Sequence, residues 1–451
     1  MTNHSIAALR TNLTGRALLP GDAGFDRAAT PWNVAVRQPV HAVVEAATAA
    51  DVAATVRFAA AAGLTVTAQA GGHGATGDAD GVILLRTGGL DELTVRPAQR
   101  TARVGAGVSW GRVLTAAGEH GLVGLAGSSP VVSVVGYTLG GGLSWFGRKH
   151  GWAAESVRSL DVVHPDGSTA TVTAGSDPDL FWALRGGGGD FALVTAMEFD
   201  LHPAPELFGG RLLWPGERAG EVMAAFREVT ATAPDELTCW LELLHFPGGT
   251  PLVAVDTTYL GSADEGRDLL RALERVDGRI GDTRAVMPIG ELGSITAEPT
   301  DPSPGRSRAG LLTAFDDEVA AALLERPIDP LLSVQIRHLG GAMARPSDTA
   351  AGPLAELYGF YLFGIPATLE RAAAVGVRQQ ELVDALAARA GTRTPYTLLA
   401  PGQTAADAFP AESHARLCRI KQERDPRGTL CSNFPTTGSQ VARSRRRPLV
   451  V

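Results

Sequence analysis

Cysteine is scarce: Cys239, Cys418 and Cys431 are the only three, widely spaced and without a C-x-x-C pair. That excludes a disulfide framework and a cysteine-built zinc site, and no metal site of any kind is expected. An excess of positive charge is missing as well. With a formal net charge of -8 and a pI near 5.7, neither nucleic acid nor a membrane surface is an expected partner. The single basic run, at 443–447, reads as part of a flexible, solvated tail over 441–451. Long apolar runs are also lacking, and the N-terminus has no basic stretch followed by an apolar core. The expectation is a soluble, cytoplasmic protein with reduced thiols.

Glycine, by contrast, is abundant at 54 of 451 residues. A chain of this length exceeds what one hydrophobic core usually organises, so two domains are expected. In the first half, a helix is predicted over 51–62, capped by Asp51 and stopped by Gly63. Short strands are predicted at 64–69, 82–86 and 101–104, a helix at 109–120, strands either side of the turn at 164–167, and a strand at 191–201. From about Pro203 the texture changes. Helical segments at 217–232, 262–275, 316–325 and 367–390 alternate with strands at 237–246, 251–260, 331–338 and 357–364. That pattern predicts a sheet covered by helices on one face. Segment 283–310 reads as a long connection over the sheet, and a helix near 411–423 follows.

The segment Gly72-His73-Gly74-Ala75-Thr76-Gly77 satisfies G-x-G-x-x-G after a strand. A nicotinamide-binding fingerprint, however, requires a helix to open at the loop. Here Asp78-Ala79-Asp80-Gly81 leads into another strand, so a nicotinamide dehydrogenase is excluded. Backbone N–H groups unobstructed by side chains can still form an anion site. The stretch from Gly124 through Gly127, Ser128 and Ser129 to Gly140-Gly141-Gly142 has the same character, as does Gly186-Gly187-Gly188-Gly189. Three such loops in one half point to close approach of a ligand, because glycine at this density costs backbone entropy.

In order along the chain come Thr30-Pro31-Trp32-Asn33, Ala70-Gly71-Gly72-His73-Gly74, Val104-Gly105-Ala106-Gly107-Val108-Ser109-Trp110-Gly111 and Gly136-Tyr137-Thr138-Leu139-Gly140-Gly141-Gly142. Arg148-Lys149-His150-Gly151, Asp179-Leu180-Phe181-Trp182-Ala183-Leu184-Arg185, the stretch from Gly186 to Asp190, Ile420-Lys421 and Asp425-Pro426 complete the series. This succession resembles the berberine-bridge-enzyme-like branch of the vanillyl-alcohol-oxidase superfamily, over nearly the whole chain. The resemblance implies an α+β fold. A two-part PCMH-type FAD-binding domain would span 1–203, a substrate domain with a helix-covered antiparallel sheet 204–405, and a segment returning to the FAD domain 406–440.

It further implies FAD attached covalently through its 8α-methyl carbon to the imidazole of His73, which would raise the flavin potential and prevent its loss. Relatives with a second, cysteinyl link carry it where this chain has Ser129. A hydroxyl cannot supply the thiolate, so one link is expected. The implied flavin contacts are Gln69, Ala70, Gly71, Gly72, His73, Gly74, Ala75, Gly77, Gly127, Ser128, Ser129, Val132, Ser133, Gly136, Tyr137, Gly141, Val194, Tyr396 and Asn433. Val132 stands at the position that controls oxygen access and leans toward an oxidase. Ser133, Asp190 and Ala192 depart from the family's usual glycine, asparagine and glycine. A buried Asp190 beside a flavin that gains negative charge on reduction would be unfavourable unless paired or turned away.

Hydride abstraction from a small organic substrate needs its donor carbon over flavin N5 and a base for the heteroatom proton. The family's base strand matches Tyr358-Gly359-Phe360-Tyr361-Leu362-Phe363, which holds no carboxylate. The later Tyr-x-Asn-Tyr motif reads Tyr396-Thr397-Leu398-Leu399. Candidates by residue type are therefore Tyr137, Tyr361, Tyr396, His338 and Glu242. The apolar strands suggest a substrate less polar than an oligosaccharide: an alcohol, an amine or a phenolic metabolite. Oxygen is the expected acceptor, with release of hydrogen peroxide. The alternatives are another acceptor, oxygenation through a flavin–oxygen adduct, or flavin binding without turnover.

Overall fold

A computed structural model describes residues 9–437; the basic tail expected at 441–451 lies outside them. The first half holds two main sheets and a two-stranded ribbon of Leu122–Val123 with His202–Pro203. One runs in the order Arg16–Leu18, Ala42–Glu45, Ile83–Arg86, Val66–Gln69, and its last three strands are parallel. Ala42, Val43, Val44, Ile83, Leu84 and Leu85 are all fully buried, the continuous apolar run that a strand covered on both faces requires. The other sheet is antiparallel throughout, in the order Leu93–Arg96, Thr101–Gly105, Leu193–Asp200, Val157–Val163, Thr169–Val172. Val44, Val66, Val104, Leu160 and Phe199 join the two sheets in one core.

The helix Ala49–Ala62 starts earlier than expected. Thr48, not Asp51, is its N-cap, and the two form a capping box in which each side chain takes the other's backbone N–H. Asp51 is buried, which alone would raise its pKa. Backbone N–H groups of Thr14, Gly15, Ala47 and Thr48 outweigh that and hold it below the usual range. Gly63 ends the helix in the left-handed region at φ 69.

The second half is built on an eight-stranded antiparallel sheet. Four of its strands fall where expected, at Leu237–Leu244, Leu252–Tyr259, Ser333–His338 and Tyr358–Gly364. Two long strands and the short Gly281–Asp282 and Ala285–Val286 were not anticipated. Phe208–Pro215 is hidden by Gly209 and Gly210, and Arg306–Leu312 opens on Arg306 and Arg308 at the sheet edge, beside Tyr358–Gly364. The supposed connection 283–310 thus ends in sheet. It also contributes the short strand Ala285–Val286 and the 3₁₀ turn Ile289–Ser294.

Alternation along these strands sorts the side chains. Leu241, Val255, Val334, Ile336, Phe360 and Leu362 pack on Val222, Phe226, Leu323, Val375 and Leu382. Those residues belong to the helices Ala219–Thr232, Asp317–Leu324 and Leu369–Ala385. The opposite face meets the first half, where Trp240 stacks on Trp145 with centroids 3.6 Å apart. Such a pair adds about 0.5–1.5 kcal/mol beyond the burial of its rings.

The helix Ala411–Arg424 lies on Pro178–Leu184 through Arg416–Asp179 and Arg424–Asp177 ion pairs. The chain then runs beside strand Val66–Gln69, with Val66 N donating to Thr429 O and Cys431 N to Val66 O. The three cysteines are unpaired. Among the described residues no helix is long and apolar enough to cross a membrane.

Candidate active site

Strand Val66–Gln69 delivers the chain into the loop that carries His73. Gly72 turns it at φ 87, where a Cβ would lie 2.8 Å from Pro31 Cβ, so only glycine fits. Trp32 N donates to Gly71 O at 2.8 Å, and the Trp32 indole lies flat on the His73 ring. Burial pushes the His73 pKa down to about 4, so the imidazole is neutral at ordinary pH. Its Nε2 is buried and has no hydrogen-bond partner among the described residues.

Beside this ring the backbone is open. A Cβ at Gly71 would meet nothing closer than His73 Nδ1 at 3.5 Å, and one at Gly74 nothing closer than Asn433 Nδ2 at 3.6 Å. Gly77 also turns at φ 88, with Arg37 O close by, and Ala75 is buried beneath the loop. Gln69 and Asn433 brace it from below. Gln69 Nε2 donates to Gln38 Oε1 at 2.7 Å and to Asn433 Oδ1 at 3.3 Å, while Arg86 Nη1 donates to Gln69 Oε1. Ala70 links strand to loop and is half-buried.

The second glycine-rich stretch forms a wall by pairing with 108–111. Trp110 N donates to Val132 O, Gly111 N to Pro130 O and Val134 N to Val108 O. Ser133 takes the place of the expected glycine because its hydroxyl works here. It accepts from Gly136 N and donates to Ala106 O. Gly136 is open, with Ser133 Oγ at 3.8 Å the nearest atom to a Cβ there. Ser128 is half-buried, and Ser129 Oγ and the Tyr137 hydroxyl are buried with no hydrogen-bond partner among the described residues. The Tyr137 ring occupies the space left by Gly127 and Gly142 and packs edge-on against Trp110.

Several glycines prove to be packing positions instead. Gly141 lies against Trp152 and Ala351, Gly186 against Ala351, Gly187 against Leu417 and Gly188 against Tyr396. The loop 186–189 is therefore not a third anion cradle: protein atoms already fill the room its missing side chains leave. Val194 sits in the core of its strand.

Asp190 turns away from the first two loops. Its carboxylate accepts from Ser432 N at 3.0 Å and Thr436 N at 2.9 Å. Lys421 Nζ donates to Asp190 O, Asp425 Oδ2 and Leu430 O. Tyr396 belongs to the same clasp. Its hydroxyl donates to Ser432 Oγ and Phe434 O, and its ring lies between Gly140 and Gly188.

The sheet face turned toward the first half is polar, contrary to the apolar composition of its strands. Arg211 bonds Asp256 through Nε (2.6 Å) and Nη2 (2.7 Å), and Glu242 through Nη2 (2.6 Å). Gln335 Nε2 donates to Glu242 Oε1, and Arg337 donates to Gln335 Oε1. Burial, helped by the charge of Asp256, outweighs the attraction of Arg211 and pushes the Glu242 pKa up to about 7. Tyr361 is on this face under Arg337, and Tyr137 faces it from the other half, within reach of the same guanidinium's field. Burial raises both phenols, so both stay protonated.

His338 is the correction in this set. One residue beyond Arg337, it points to the opposite face, where its Nε2 accepts from Arg148 Nη1 at 2.9 Å beside Tyr358. It is a buried structural group. Arg337, Gln335, Arg211 and Asp256 were missed from the sequence. The available signal was the alternation of Gln335 and Arg337 with Val334 and Ile336, which places two polar groups on one strand face.

Two open, glycine-lined walls carrying the unpartnered polar atoms His73 Nε2, Ser129 Oγ and the Tyr137 hydroxyl suit a large polar cofactor. FAD has that chemistry: phosphates for bare backbone, and a ring whose edge needs polar partners. Residues 40–173 match the FAD binding domain family. The chain has a PCMH-type, berberine-bridge-enzyme-like fold, and relatives that match it are named FAD-linked oxidoreductases and oxidases. It is 26% identical over 449 residues to (R)-6-hydroxynicotine oxidase of Paenarthrobacter nicotinovorans, covering 94% of this chain and 96% of the relative. Among solved structures, Physcomitrella patens BBE-like 1 superposes with a TM-score of 0.84 at 19% identity, over 96% of this chain and 99% of that one. The 6-hydroxy-D-nicotine oxidase from Arthrobacter nicotinovorans gives 0.82 at 22% identity, over 95% and 97%.

Proposed function

We propose that the chain is an oxidase of a small organic alcohol, amine or phenolic substrate, with FAD held by one covalent link to His73. Residues 1–203 would bind the cofactor, 204–405 the substrate, and 406–440 would clasp the first part from behind. The observation that carries the reading is His73 itself. It is a neutral, buried imidazole with an unpartnered Nε2, on a loop whose glycines leave their outer side open. FAD bound there would supply a hydride acceptor at N5 and a route for the electrons to oxygen, with hydrogen peroxide as the product.

The protein's own part is to bind, orient and exclude water. A neutral imidazole has the free lone pair that bonding to the cofactor requires, and Ser129 offers no thiolate for a second link. Val132 borders the wall where oxygen would approach. Tyr137 and Tyr361, kept protonated by burial, present hydroxyl donors to the substrate heteroatom. Glu242, with its pKa near neutrality, is the group on this face that can hold or release a proton at physiological pH.

Acid precipitation of the purified protein tests the tether. The yellow chromophore should stay with the polypeptide, and His73→Ala should release it. Anaerobic reduction by a panel of alcohols, amines and phenols, followed by air, tests the oxidase assignment. Fast reoxidation with peroxide release is expected. Slow reoxidation would assign another acceptor, and no reduction by any compound would point to a binding protein without turnover.

A further inference from the structure

The polar chain on the inward sheet face ends in a cation that has no ion-pair partner among the described residues. Asp256 and Glu242 both have their cation in Arg211. Gln335 is fixed by donating its Nε2 to Glu242 Oε1 at 2.5 Å, which aims its amide oxygen at Arg337. Arg337 spends two donors, Nε at 3.0 Å and Nη2 at 2.7 Å, on that one neutral oxygen. Its Nη1 has no acceptor among the described residues, and no carboxylate among them forms an ion pair with it. Yet Arg337 is only 8% exposed. A buried guanidinium without an anion is costly unless something brings one.

Its surroundings say what that would be. The guanidinium carbon lies 4.1 Å from the centroid of Trp240 and 5.1 Å from that of Tyr361. Trp240 is itself immobilised by the stack on Trp145 from the other half. The guanidinium thus lies against flat aromatic faces, within the electrostatic reach of Tyr137 and Tyr361. A planar molecule with one anionic oxygen matches this setting. A polyphosphate does not, and it has the glycine loops of the other half. Glu298 and Glu242 contribute negative field from beyond ion-pair distance, which steadies the guanidinium without occupying it.

We propose that Arg337 is the recognition point for an oxygen anion on a planar substrate, a carboxylate or an ionised phenol, and that the enzyme thereby selects anionic over neutral substrates of the same shape. Gln335 and Glu242 are positioning residues for it. This rests on the site proposed above being the substrate site. The same cation could instead serve the negative charge of reduced FAD, so the test separates the two.

Flavin absorbance of the holoenzyme is followed while benzoate or benzamide is added; these probes share a shape and differ in charge. Benzoate should bind more tightly by about tenfold or more, as expected for a desolvated guanidinium–carboxylate pair. Arg337→Met should abolish that preference with benzamide affinity unchanged, and Arg337→Lys should keep part of it. Equal affinities in the unaltered enzyme would overturn the proposal, with no variant needed. So would a benzoate preference that survives in Arg337→Met, or a variant that shifts the flavin midpoint potential while the benzoate-to-benzamide ratio stays put. Acid-stable flavin is measured on every sample. Its absence would sink the tether reading, while the affinity ratio, then followed by calorimetry, would still decide the role of Arg337.

Discussion

The indole of Trp32 lies on the imidazole of His73 with ring centroids 4.1 Å apart and planes 15° apart. Trp32 follows the short helix Phe25–Ala29 and His73 the strand Val66–Gln69, and the Trp32 N–H to Gly71 O bond fixes their register. The stack holds the imidazole in one orientation before anything binds. Trp32→Ala should therefore slow covalent attachment of added FAD by about twofold to tenfold, the equivalent of about 0.5–1.5 kcal/mol of ring contact. Trp32→Phe should recover most of the rate. Acid-stable absorbance against time is the readout, and an unchanged rate in Trp32→Ala would remove the indole from the attachment step.

Glu242 offers a titration with a defined sign. Its folded pKa is raised to about 7, so the folded protein holds a proton that the unfolded chain has already lost. Its contribution to stability is present below the unfolded value and disappears as pH rises through 7. Glu242→Gln keeps the shape and the bond to Arg211 but cannot titrate. It should flatten the fall in stability between about pH 5 and 7, by on the order of 1.4 kcal/mol per pH unit, and erase a limb near 7 in the pH profile of kcat/KM. Urea melts and the pH–rate profile check the two parts separately.

His338 has the opposite sign. Burial, reinforced by Arg148, depresses its pKa to about 3, so the unfolded chain gains a proton near 6.5 that the folded one refuses. Stability is intact above 6.5 and falls as pH drops toward 3. His150, pushed to about 3 by burial with His202 and Lys149 adding to it, acts in the same direction. His338→Gln should reduce the loss between pH 6.5 and 4.5 by on the order of 1.4 kcal/mol per pH unit. Turnover at pH 7.5 should be nearly unchanged, since this side chain lies on the helix side of the sheet. An unaltered acid slope would mean that His338 takes up a proton while folded.

Lys421 clasps the C-terminal segment to the first half. Lys421→Met removes three donors from a buried centre and strands Asp425, which is 1% exposed in its side chain. A loss of about 3–5 kcal/mol is expected, the scale for breaking one partner out of a buried pair. Because Asn433 lies just beyond the clasp and braces Gln69, the surviving folded protein should also carry less acid-stable flavin. Equal urea midpoints would show that the clasp is dispensable.

Much of this was legible from residue order. The loop 71–77 could be separated from a dinucleotide fingerprint because no helix follows it, and the alternation of helices and strands after Pro203 foretold the covered sheet. His73 stood out for the same local reason: glycines on both sides strip away competing side chains. The strand Arg306–Leu312 was not legible. Edge position removes the need for apolar alternation, so Arg306 and Arg308 made it look like loop.

What the sequence alone determined was the open loop around His73, because a glycine-bounded loop is a local property written in consecutive residues. Only the tertiary structure decided which glycines stay open and which are filled by Tyr396, Trp152 or Ala351, since that depends on chain segments hundreds of residues apart. The same holds for Arg337 and His338. They are neighbours in sequence, yet strand alternation sends one toward the first half and the other into the helix-packed core, and only the assembled sheet says which face is which.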